Sequence, residues 1–186
     1  MQKNFIVYKE LKTIILGEKS FISQNLGKKF PKFQILSINN FINLYTKKFD
    51  KKKINLIINS FYPVSKLNNI KDYNFFVKKS SCELSVLLDI LIKKNVNKII
   101  YSSSSAIYGL DKNNLSFQKK NHRDLYASFK LANEEMLKNF SIKNNINLII
   151  ARIFNVFDKN ENFSIVSKLI NDKHENQSIK IFNNGN

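Results

Sequence analysis

Five short apolar runs, separated by longer stretches with helical spacing, most constrain what this chain of 186 residues can become. Thr13-Ile14-Ile15-Leu16, Phe33 to Ile38, Ile54 to Asn59, Lys98 to Tyr101 and Ile146 to Ala151 are largely continuous in their apolar character rather than alternating. Strands of that kind must be covered on both faces, which selects a parallel sheet lying between helices. Ser20 to Phe30 reads as an amphipathic helix, and Asp72 to Lys94 as a longer one with Phe76, Leu84, Leu87, Leu88, Ile90 and Leu91 at helical spacing. Another helix holds Tyr126, a last helix is expected over Phe163 to Asn171, and Ile179-Lys180-Ile181-Phe182 reads as a sixth strand. The expected fold is α/β: a doubly wound parallel sheet in three layers, α/β/α, whose ligands lie beyond the carboxyl ends of the strands. Gly17 and the run Ser102-Ser103-Ser104-Ser105 fall at such ends.

Composition removes several alternatives. No apolar run reaches the ~18 residues that span a bilayer, and the first residues lack the apolar stretch of a signal peptide, so a cytoplasmic location without membrane partners is expected. The single cysteine, Cys82, excludes an internal disulfide and reads as a packed thiol within its helix; His122 and His174 show no ligand-like spacing, so no metal is assigned. A net charge of +17 invites nucleic acid. Yet all but two of the 31 basic residues are lysines, the exceptions being Arg123 and Arg152, and they are dispersed rather than gathered into a stripe. A solvated basic surface is therefore preferred, with no nucleic-acid partner. Residues 1–11 read as a poorly ordered extension and residues 12–186 as one domain.

Reaction chemistry enters with Tyr126 and Lys130. Residues four apart lie one turn above another on a helix, so the ammonium can sit beside the phenol. A phenol titrates near pH 10, and using it as a base near neutrality requires roughly 4 kcal/mol of stabilisation of the phenolate, which a neighbouring cation favours. A serine at the end of the fourth strand would complete the arrangement by bonding the same substrate oxygen.

Ser102-Ser103-Ser104-Ser105-Ala106-Ile107-Tyr108-Gly109, followed by Tyr126-x-x-x-Lys130, resembles the extended short-chain dehydrogenase/reductase family, in particular its NAD-dependent nucleotide-sugar epimerases and dehydratases. The resemblance covers roughly Thr13 to Asn186 and implies a Rossmann-like domain, a catalytic set of Ser104, Tyr126 and Lys130, and a homodimer formed through the Tyr126 helix and the long helix before it. Taking Tyr108-Gly109 as the register mark places the catalytic serine at Ser104, with Ser103 and Ser105 as the other readings. Lys130 would also hold the nicotinamide ribose. Leu16-Gly17-Glu18-Lys19-Ser20-Phe21-Ile22-Ser23 stands where the family has its glycine-rich turn, so Gly17, Ser20, Phe21 and Ile22 are the expected cofactor contacts. Only the first glycine remains. Serine at positions 20 and 23 is expected to obstruct pyrophosphate approach and to resist a positive φ.

Other positions follow from the same resemblance. Arg152-Ile153-Phe154-Asn155-Val156-Phe157-Asp158 is similar to the family segment after the fifth strand, which makes Asn155 a substrate contact through its amide, with Asp158 where glycine is usual. Ser37, Asn39 and Asn40 occupy the end of the second strand in place of the acidic residue that would bond an adenosine ribose. No arginine there marks a 2′-phosphate site, so the choice between NAD and NADP stays open, with NAD favoured by the resemblance alone. Asn59-Ser60-Phe61-Tyr62 is bulkier than the family's segment beside the cofactor. The family's dehydratases have Thr-Asp-Glu where this chain has Ser104-Ser105-Ala106, and alanine transfers no proton, so epimerase or keto-sugar reductase chemistry on a nucleotide sugar is expected. The resemblance also implies that most of the small substrate lobe is missing. A second expectation follows from the lost glycines and that lobe: an inactive nucleotide-binding or interaction module.

Overall fold

The structure is a computed structural model that describes residues 11–47, 53–59, 73–109, 125–157 and Val166. Five strands form one sheet: β1 (Lys12–Leu16), β2 (Gln34–Leu36), β3 (Ile54–Ile58), β4 (Val96–Ser104) and β5 (Asn147–Ile153), in the order β2-β1-β3-β4-β5. β1 runs parallel to both β2 and β3, and β3 parallel to β4, with Ile14 opposite Gln34 and Leu56, and Ile58 opposite Tyr101. The chain leaves β1 toward one edge for β2 and then crosses to the other side for β3. That reversal opens a crevice at the carboxyl ends of β1 and β3, where a doubly wound sheet binds ligands.

The helices are α1 (Phe21–Lys29), α2 (Ile38–Lys47), α3 (Tyr73–Val77), α4 (Glu83–Ile92) and α5 (Leu125–Lys143), with a π-helical turn over Lys78–Cys82 joining α3 to α4. One core fills the space between the sheet and α2, α4 and α5: Ile14, Leu16, Leu56, Ile58, Ile99 and Tyr101 from alternate strand positions meet Phe41, Leu84, Leu87, Leu91 and Leu137. Ile15, fully buried, alternates to the opposite face. On α1, Gly27 packs against β2, where a Cβ would run into Cδ1 of Ile35. The chain falls into two compact units, Met1–Arg152 and Ile153–Asn186.

Three local readings change. The second strand ends at Leu36, because Ser37 caps α2: its Oγ accepts from Asn40 N at 3.1 Å and its carbonyl from Phe41 N at 3.0 Å. α2 itself was legible as Ile38, Phe41, Ile42 and Tyr45, the i, i+3, i+4, i+7 stripe that meets the core. The helix expected across Asp72 to Lys94 is broken by the π turn, and Cys82, at the end of that turn, is exposed rather than packed. The helix over Phe163 to Asn171, apart from helical Val166, lies outside the described residues. The strand at Ile179 to Phe182, Phe61, Tyr62 and Asp158 do as well.

Candidate active site

α5 explains how a lysine comes to lie inside the protein. Its buried stripe runs through Ala127, Lys130, Glu134, Leu137 and Ser141, flanked by Phe129, Asn133 and Phe140. The second half of that stripe is core, and the first half is polar. Lys130 is 4% exposed, and its Nζ donates to the carbonyls of Ser102 at 2.7 Å and Asn59 at 3.2 Å, at the carboxyl ends of β4 and β3. The ammonium stands 5.8 Å from the ring centre of Tyr126 and 4.9 Å from that of Tyr101. Tyr126 and Lys130 therefore share a face, and Tyr126 is half-buried while Lys130 is enclosed.

Burial pulls the Lys130 pKa down to about 8 from 10.5, with the Glu134 carboxylate opposing it. The folded value is below the unfolded one, so between about pH 8 and pH 10.5 the unfolded chain binds the extra proton and stability rises with pH. The full penalty of burying the charge is present below pH 8. We expect the unfolding free energy of the parent, measured against Lys130→Met, to rise by about 3 kcal/mol across that window in denaturant titrations. A flat difference would mean that the ammonium is hydrated in the folded chain.

The serine run divides its hydroxyls. Ser102 Oγ donates to Asn59 Oδ1 and Ser103 Oγ to Glu134 Oε1, both inside the protein. Ser104 is half-buried at the head of a 3₁₀ turn (Ser105–Tyr108), and its Oγ accepts from Ala106 N at 3.2 Å, a bond that leaves the hydroxyl proton to be given elsewhere. Gly109, at φ 85°, closes that turn. Ser103, committed to Glu134, fits the substrate-facing role less well than Ser104.

Sequence reasoning missed Glu134. It is fully buried, and Arg152 holds it in a fork: Nη2 donates to Oε2 at 2.8 Å and Nε to Oε1 at 3.2 Å. Arg152 Nη1 also donates to Tyr108 Oη at 3.2 Å, with the guanidinium 5.3 Å from that ring centre. The Glu134 bond raises the pKa of Arg152 further above its ordinary value. The signal was available, since Glu134 follows Lys130 by one helical turn. Asn133, also buried, donates to Tyr101 Oη and to the Ser80 carbonyl of the π turn, both at 3.4 Å.

At the end of β1, Gly17 adopts φ 102° and donates its N–H to Leu36 O at 3.1 Å. The turn to α1 then closes through Ser20 N to Gly17 O at 2.9 Å. The expected conformational penalty at the two serines is absent. Ser20 has φ −71° and caps α1, accepting from Ser23 N at 3.5 Å, while Ser23 lies in the first helical turn. Gly17 is the turn residue that needs glycine. Ser20, Phe21 and Ile22 are half-buried around the α1 N-terminus, so Gly17 and this helix start fit an anionic dinucleotide linker. Asn155 is exposed and belongs to the second unit, Ile153–Asn186. Among the described residues no group of His, Cys, Asp and Glu could hold a metal, and no helix is long and apolar enough to cross a membrane.

The family model described as NAD dependent epimerase/dehydratase matches residues 21–186. No curated protein sequence matches the chain. Among solved structures, the chain is similar to the UDP-N-acetylglucosamine 4-epimerase of Methanobrevibacter ruminantium, with a TM-score of 0.68 and 18% identity over 94% of this chain and 66% of that one. It is also similar to the UDP-glucose 4-epimerase of Thermotoga maritima, with a TM-score of 0.69 and 15% identity over 94% and 67%. A third is the UDP-glucuronic acid 4-epimerase of Bacillus cereus, solved with UDP-glucuronic acid and NAD, with a TM-score of 0.66 and 18% identity over 92% and 66%. The chain thus spans about two thirds of the length of these proteins, and at such identities the likeness shows the fold.

Proposed function

This chain belongs to the NAD-dependent epimerase/dehydratase family, and on that basis we propose that it is an NAD(P)-dependent epimerase or keto-reductase acting on a nucleotide sugar. The observation that carries the proposal is the enclosed ammonium of Lys130 on the face of α5 that it shares with Tyr126, at the carboxyl ends of β3 and β4. A structural lysine on α5 would keep its head in water.

Tyr126 is assigned the proton exchange with the reacting sugar hydroxyl, and Ser104 donates a hydrogen bond to the same oxygen and orients it. Lys130 holds positive charge beside the phenol and favours its ionised form. Gly17, Ser20, Phe21 and Ile22 would receive the dinucleotide, with the backbone of the turn facing its phosphates and Lys130 near its ribose. When bound, the nicotinamide supplies the hydride acceptor and donor. NAD is preferred over NADP by the family resemblance alone, since Ser37 and the α2 residues Asn39 and Asn40 supply neither the acidic residue of an NAD site nor the arginine of an NADP site. Asn155 is assigned to the substrate. Ser105 and Ala106 lack the acid that eliminating water would need next to Ser104, which argues against dehydratase chemistry.

A homodimer through α4 and α5 belongs to the same proposal: Val86 and Ile92 on α4 and Ile142 on α5 are exposed apolar side chains. Sedimentation at micromolar concentration should report two chains, and a single-chain mass would remove this part.

The direct assay supplies UDP- and GDP-hexoses with NAD(H) and follows sugar proton resonances. Interconversion of epimers, or NADH-dependent reduction of a keto sugar, is the expected result. Binding of NADH with no turnover of any sugar would instead support an inactive nucleotide-binding module.

A further inference from the structure

The serine that replaces the family's third glycine is part of a buried network. Ser23 is fully buried, and its Oγ accepts from Asn59 Nδ2 at 2.6 Å. Asn59, 3% exposed, is engaged at every polar group: its N–H donates to Leu16 O at 3.1 Å, its Oδ1 accepts from Ser102 Oγ, and its carbonyl accepts from Lys130 Nζ. One asparagine therefore ties together β1, α1, β4 and α5, one residue past the last ladder pair of β3 and β4, Ile58 with Tyr101. A serine introduced by loss of a glycine, with no compensating partner, would leave a buried hydroxyl unbonded and destabilise the fold. Here the hydroxyl is turned away from the turn and into the protein.

We propose that Ser23 and Asn59 are positioning residues for Lys130, clamping the ends of β3 and β4 so that the carbonyls of Asn59 and Ser102 form a two-point seat for its ammonium. Lys130 can reach both acceptors only while the two strand ends stay in register, and beyond the pair Ile58 and Tyr101 the side-chain bond from Ser102 to Asn59 links them. The inference rests on the functional reading for its consequence in cofactor binding, and on the hydrogen bonds alone for its consequence in Lys130.

The consequence is counterintuitive. Restoring the family's glycine with Ser23→Gly should weaken NADH binding, by about fivefold if one buried bond is lost, because Asn59 loses its anchor on α1. If the serine merely obstructs the cofactor, Ser23→Gly should tighten binding, and that result would overturn the proposal. A readout independent of NADH is the titration of Lys130 followed by NMR of its Cε protons and carbons in the full chain. In Ser23→Ala and Asn59→Leu, water should reach the ammonium, and its midpoint should rise from about 8 by about half a pH unit or more. Ile99→Val trims a methyl from β4 outside the network, lowers stability and should keep the parent midpoint. If all three variants titrate like the parent, the seat does not depend on the network, whether or not NADH binds. Failure of NADH to bind the parent chain would remove the functional reading while leaving the Lys130 titration decisive for the inference.

Discussion

Replacing Tyr126 with phenylalanine should lower turnover of the nucleotide sugar by a factor of about 10² to 10⁴ while leaving NADH affinity within about twofold of the parent. The ring is half-buried on α5 above Lys130, and phenylalanine retains its packing and the aromatic face 5.8 Å from the ammonium. Only the hydroxyl is lost. Without it, no side chain assigned to the site can both take and return the substrate proton at neutral pH: Lys130 is held by two carbonyls, and a serine hydroxyl is too weak an acid and base. Turnover and NADH titrations on the same preparation separate the two contributions. Turnover within threefold or so of the parent would remove Tyr126 from the chemistry.

Arg152→Met should destabilise the fold by about 3–5 kcal/mol, the largest effect expected of a single exposed-to-half-buried side chain here. The physical reason is the carboxylate left behind. Glu134 is fully buried, and without the guanidinium fork it keeps Ser103 Oγ, the Lys138 ammonium 4.0 Å away and the electrostatic influence of Lys130. Adding Glu134→Gln should recover much of the loss, because the uncompensated charge disappears together with its partner. Urea unfolding of the two single variants and the double variant reads this directly. Additive losses would show that the pair contributes through packing and not through its charge. The same substitution also removes the bond from Arg152 Nη1 to Tyr108 Oη, in the 3₁₀ turn that follows Ser104.

Most of the architecture was legible because the strands of this sheet are apolar on both faces, and few other folds accept that pattern. Ile14-Ile15-Leu16 and Ile54 to Ile58 lie where the sequence puts them, and the serine run sits at a strand end as expected. Family membership and the sheet agree with the resemblance drawn from Tyr126, Lys130 and the serine run. In the sequence Asn39 and Asn40 resemble the polar end of a strand and mask α2, although Ile38, Phe41 and Tyr45 trace its helical stripe. The π turn was not legible, since one extra residue in a helix leaves the local composition unchanged. In the site, pattern alone could place Tyr126 above Lys130 but not the partners supplied from distant strands. Asn59 and Arg152 come together with α5 only through the topology, and the burial of Glu134 cannot be seen without it. The glycine-rich turn shows the reverse difficulty. Ser20 and Ser23 looked costly because the motif implies special backbone conformations, whereas only Gly17 adopts one.

The proposed chemistry requires a nicotinamide dinucleotide to settle at the carboxyl edge of β1 and β3, next to an enclosed ammonium. Isothermal titration of the full chain with NADH and NADPH tests this most directly. Saturable binding near one equivalent per chain, preferring NADH and reduced in Lys130→Met, is the predicted result. Heats no larger than dilution for both dinucleotides, from a chain shown to be folded, would contradict it.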